Sequence, residues 1–127
     1  FMYSDDEAVS WTYGGEVLAR PGSRPYVHWA AGTDRVWFTA SLGHPHSTRF
    51  DPVYAGYIRS GRMYRSDGTY VTDLGTPVDV TRFTLLHQSS FTAPGDWGPP
   101  GYGAFNDTDA WGSDLRVDAS GAPVVAG

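Results

Sequence analysis

The side chains best suited to chemistry fall in a few short stretches. His44-Pro45-His46 sets two imidazoles two residues apart, and Arg49 follows. An imidazole titrates near neutrality and can serve as acid or base. Tyr54 and Tyr57 come shortly after and open the next apolar segment. Arg24 and Arg49 can hold a carboxylate or sulfate through paired N–H donors. Trp97, Tyr102 and Trp111 offer rings on which the apolar face of a sugar can stack. His44 and Tyr54 are the candidates for catalysis, and Arg24, His46, Arg49, Trp97 and Trp111 the candidates for substrate binding. Each also has a plainer role open to it, as packing or as part of a solvated loop. Two histidines alone do not complete a zinc site, so no metal and no cofactor is expected.

Composition narrows the classes. The 127-residue chain suits one ordinary domain and has no cysteine, hence no disulfide or thiolate chemistry. A net charge of -5 and a pI near 5.1 argue against nucleic acid as a partner. No apolar run approaches the ~20 residues that span a bilayer, so no membrane partner is expected. With 5 Trp, 8 Tyr, 16 Gly and 9 Pro, the chain reads as all-β with many turns. Both ends look cut from something longer.

Residues 24–66 position the candidate groups. RPYVHWAA, RVWFTASL, VYAGYIRS and GRMYRSDG read as four strands in a row. Val36, Phe38, Ala40 and Leu42 alternate with Arg35, Trp37, Thr39 and Ser41, so both faces carry bulk. Likewise, Val27, Trp29 and Ala31 alternate with Tyr26, His28 and Ala30. Such a unit needs a layer on each side, which points to one four-stranded antiparallel blade of a β-propeller with parts of two neighbours. Residues 1–19 would end one blade, 20–68 form a whole one, 69–113 make a long connection, and 114–127 start the next. TPVDVTRFTLLHQ reads as a short helix, with Thr76 as N-cap and Pro77 at the first position, or alternatively as a strand. Residues 89–112 hold too much Gly and Pro for regular structure. DLRVDASGAPVVAG repeats the strand, Ser-Gly turn, strand pattern.

The stretch SDDEAVSW, residues 4–11, resembles the Asp-box of sialidase-like propellers, the BNR repeat. Ser4, Asp6, Ser10 and Trp11 sit at matching positions, with Ala8 where the pattern has Gly. The expected role is structural: the Asp accepts backbone N–H bonds in a turn, and the Trp packs beneath it. RPYV, the GHP triplet at 43–45 and YRSDGT resemble the BNR-repeat family that includes ulvan lyases. The resemblance spans roughly residues 4–72 and, more weakly, 111–125. It implies a secreted or periplasmic protein acting on polysaccharide or oligosaccharide, partnered by missing blades of the same chain. In those relatives the bond breaks by β-elimination beside a uronic acid, with His, Tyr and Arg in attendance.

Propeller topology then assigns ends. GTD (32–34), Ser60-Gly61 and Ser120-Gly121 should share the Asp-box end. GHPHSTRFDP (43–52), RPGS (20–23) and 69–113 should share the other, which becomes the candidate binding face. The functional expectation is a carbohydrate-active propeller fragment, either a lyase or a glycoside hydrolase. A hydrolase would draw its two carboxylates from Asp51, Asp96, Asp107 and Asp109. The alternatives are a non-catalytic glycan-binding or scaffold propeller, and a complete domain that assembles blades from several chains.

Overall fold

The alternation along residues 36–41 is carried directly into structure. In the computed structural model, which describes residues 1–20, 24–41, 52–88 and 114–126, the chain is all-β, with no α-helix among those residues. Strands β1 (Met2–Tyr3) and β2 (Thr12–Tyr13) form a hairpin, and β3 (Leu18–Ala19) follows. An antiparallel meander then runs through β4 (Tyr26–Ala31), β5 (Val36–Ser41), β6 (Val53–Arg59), β7 (Arg62–Arg65) and β8 (Tyr70–Asp73). Next come β9 (Val78–Asp79), a single 3-10 turn (Val80–Arg82) and β10 (Thr84–His87). The hairpin of β11 (Asp114–Val117) and β12 (Pro123–Ala126) closes the described chain.

β5 lies in the middle of the packing, and Trp37 through Ser41 are all buried. On one face Phe38, wholly buried, meets Phe83 edge-on at 4.8 Å and Trp29 at 5.4 Å. Ala40, Met63 and Val80 complete that cluster, and Val17, Leu18, Leu74 and Val78 pack against it. On the opposite face Trp37 meets Tyr57 edge-on at 5.0 Å, and Tyr57 stacks on Tyr64 at 5.1 Å. Leu115 and Val117 of β11 cover this second cluster. Each face is thus covered by a different part of the chain, as the two-sided pattern demands.

The covering layer over Phe38 is held by a backbone crossing. β3 pairs in parallel with β9, Leu18 opposite Val78 and Ala19 opposite Asp79. Beside this pairing Gly15 and Gly75, at φ 106° and 92°, pass in contact: a Cβ on Gly15 would lie 2.9 Å from the Gly75 carbonyl oxygen. Only glycines permit both the approach and the dihedrals.

Residues 69–88 depart from the expected long irregular connection and from the helix within it. Val78, Val80 and Phe83 are all needed in or against the Phe38 cluster, and parallel pairing with β3 holds the backbone extended at 78–79. The cap is Asp79, not Thr76, and it caps only the 3-10 turn, accepting from Thr81 N at 2.9 Å. The strand alternative holds for 84–87. β10 completes an edge: β7 pairs with β6 from Arg59 to Gly56, and β10 takes over at Ala55, Tyr54 and Val53. Two contacts seal the joint, Ser66 N donating to Thr84 Oγ1 at 2.9 Å and Arg65 Nε to the Arg82 carbonyl at 2.8 Å. Residues 12–19 form strands only at 12–13 and 18–19, with the glycine crossing between them.

Gly56 sits where the two pieces of this edge meet. A Cβ there would lie 2.5 Å from the Tyr64 carbonyl oxygen, 2.7 Å from Phe83 and 2.8 Å from Phe38. Gly56→Ala is expected to cost about 1–3 kcal/mol through overpacking, read in urea unfolding as a lower midpoint with an unchanged slope.

Candidate functional site

The 4–11 turn is built from its own side chains. Asp6 Oδ1 accepts from Ser4 Oγ at 2.7 Å and from Ser10 N at 2.8 Å, and Asp6 Oδ2 accepts from Ser10 Oγ at 2.6 Å. Ser4 Oγ in turn accepts from Ala8 N at 2.9 Å. These bonds enclose a tight turn in which Val9 N donates to the Asp6 carbonyl at 3.2 Å. Its central residues, Glu7 and Ala8, have φ of 57° and 69°. Two positive dihedrals are the mark of a primed hairpin turn, which Asn-Gly would adopt with little strain and Glu-Ala does not. The carboxylate bonds hold the turn despite that cost. Hydrogen bonds from Ser10, side chain first and then backbone, and from Ser4 push the Asp6 carboxyl down to about 2. Trp11 does not pack beneath the turn. Its ring is 58% exposed, because the described hairpin is two strands wide and has no layer under it.

At the end of the meander nearest Gly32, Asp34 accepts from Arg35 Nε at 2.7 Å and pairs with Arg59 Nη2 at 3.2 Å. The Arg35 guanidinium lies over the rings of Tyr57 and Trp37, at 4.6 and 5.5 Å from their centroids. Leu74 N donates to the Gly61 carbonyl at 2.9 Å at the same end. The turns at 32–34 and 60–61 thus share one end, as an antiparallel meander requires, and Leu74, part of the 69–113 stretch expected at the opposite end, lies there with them.

The opposite end is the one at which the binding face is expected from the sequence. Registers set Tyr26 opposite Ser41, Ser41 opposite Val53 and Val53 opposite His87, a row across four strands. The chain leaves this row at Ser41 toward 42–51 and at His87 toward 89–113. His44, His46, Arg49, Trp97 and Trp111 lie in those stretches, outside the described residues. Arg24 is exposed, two residues ahead of Tyr26. Tyr54, one residue in from the row, packs against the Phe38 cluster, whereas Tyr57 turns to the face that β11 covers. Among the described residues no group of three or more His, Asp or Glu could hold a metal ion. None of their helices is long and apolar enough to cross a membrane.

A further concave site was not foreseen from the sequence. Tyr13, Glu16 and Val17 face Pro25, Val27 and Trp29 of the first meander strand across a cleft of about 460 Å³. Trp29 was legible only as one member of an alternating strand. Its proximity to Tyr13 depends on the Gly15–Gly75 crossing, for which the sequence holds no local signal. Searches against family models, curated proteins and solved structures find no match to this chain.

Two outcomes test the turn. A carboxyl whose pKa is lower in the folded chain adds stability in full above its unfolded value, 3.8, and loses it as pH falls toward about 2. Asp6→Asn should therefore be less stable than the parent at neutral pH, the gap narrowing through that acid window in unfolding curves. Ala8→Gly should raise stability by about 1 kcal/mol by relieving the left-handed backbone, measured by the same curves.

Proposed function

We propose that this chain is one blade, with parts of two neighbours, of a secreted β-propeller that acts on polysaccharide as a lyase or a glycoside hydrolase. The observation that carries the propeller reading is the 4–11 turn. Ser4, Asp6 and Ser10 make the bonds expected of an Asp-box, and the chain goes on to a sheet covered on both faces, in which the four expected strands are joined by β8 and β10 to make six. On this reading the row Tyr26–Ser41–Val53–His87 is the end of the blade from which the chain continues toward 42–51 and 89–113.

In the lyase form, Arg24 or Arg49 neutralises the uronate carboxylate. A base takes the C5 proton, the electron pair forms the C4–C5 double bond, and the C4–O bond breaks. The departing oxygen takes a proton from the acid. His44 and Tyr54 are the candidates for those two proton transfers. A second reading, glycan binding without turnover, draws on the packing of the Tyr54 ring against the Phe38 cluster. It also draws on the described carboxylates, because Asp34 and Asp114 are engaged by arginines, and Asp67, Asp79 and Asp118 by turn donors.

The deciding experiment mixes the protein with uronate-containing polysaccharides. A lyase produces the ultraviolet absorbance of a conjugated unsaturated uronate, and His44→Ala should lower its rate by about 10²-fold or more. New reducing ends without that absorbance identify a hydrolase. Retention on the polysaccharide with neither signal establishes the binding reading, and no retention or turnover on any polysaccharide removes the proposal.

A further inference from the structure

The cleft between Tyr13 and Trp29 borders the start of β4, with Pro25 and Val27 of its lining on either side of Tyr26. Its volume, about 460 Å³, is within the usual range for small-molecule sites, roughly 300–1,000 Å³. Two large rings stand open in it, Tyr13 at 69% and Trp29 at 46% exposure. The surroundings are fixed rather than loose. Trp29 rests on Phe38, and Val17, Leu18 and Val27, which also line the cleft, pack against the core cluster. Tyr13 is held by its register opposite Met2. Among the described residues Glu16 is the one charged side chain of the lining, and the Phe1 ammonium, which donates to the Gly15 carbonyl, belongs to it as well.

We propose that this cleft binds a neutral hexopyranose unit of a polysaccharide, with Tyr13 and Trp29 against its apolar ring faces and Glu16 accepting its hydroxyl groups. This rests on the polysaccharide reading above and adds a site and a sugar class to it. A pyranose presents C–H groups on its two faces and hydroxyls around its rim. Aromatic rings match the faces, and a carboxylate accepts strong bonds from the rim. The same carboxylate opposes a uronate or sulfate.

The test is calorimetric titration of the intact 127-residue chain with cellohexaose, mannohexaose and hexagalacturonate. The expected result is binding of a neutral hexamer, weakened about tenfold or more by Tyr13→Ala. Glu16→Arg should lower affinity for the neutral hexamer and raise that for hexagalacturonate. Both positions are exposed, so both variants should fold; Trp29→Ala, which also removes a contact to Phe38, is confirmatory only if its unfolding curve matches the parent. Neutral binding that neither Tyr13→Ala nor Glu16→Arg alters overturns the cleft and leaves the polysaccharide reading standing. So does binding of hexagalacturonate alone, unchanged by either variant. If no oligosaccharide and no polysaccharide binds, the cleft proposal and the polysaccharide reading fall together.

Discussion

Trp37 and Phe38 are neighbours in the chain and point to opposite sides of one sheet, and both are buried. A pleated strand allows nothing else. Leaving either ring in water would forfeit about 1.5–3 kcal/mol, so the sheet needs two covering layers. One comes from residues 17–18 with 74–83, the other from β11. The remaining architecture follows from supplying them: the glycine crossing seats the first layer, and the hairpin of β11 and β12 supplies the second.

Carboxylates do a second, local job throughout. Asp6 organises its turn through both oxygens. Asp118 Oδ1 accepts from Ser120 N, Ser120 Oγ and Ala122 N at 2.6–2.9 Å in the second hairpin. Asp67 holds Thr69 N in the turn after β7, and Asp79 caps the 3-10 turn. Much of the chain's acidity thus serves turn construction. Short strands joined by tight turns leave backbone N–H groups without ladder partners, and an adjacent Asp or Ser oxygen satisfies them.

What could be read in advance divides along the same line between local and distant causes. The period-two alternation at 26–31 and 36–41 placed both faces correctly because each residue's side is set by its own position. The turns at 32–34, 60–61 and 120–121 were legible from Gly, Ser and Asp for the same reason. Thr76-Pro77 carries a genuine helix-start signal, yet the burial of Val80 and Phe83 against a strand more than forty residues earlier overrides it. Trp11 was assigned a packed role from its place in a motif, and packing depends on a layer that the motif cannot specify. The Tyr13–Trp29 cleft arises where two distant backbones cross, beyond any window of local pattern.

The far edge of β6 is paired without a gap from Val53 to Arg59, although two strands share the task. Residues 66–83 are thus a detour within what the sheet treats as one continuous strand. Such a detour can lengthen, shorten or be exchanged for another segment between related proteins while the hydrogen-bond ladder of β6 stays whole, provided that something still covers Phe38. The joint at Ser66 and Thr84 is therefore where this architecture is most open to evolutionary grafting, and two chains of the same design could differ there more than anywhere else in the meander.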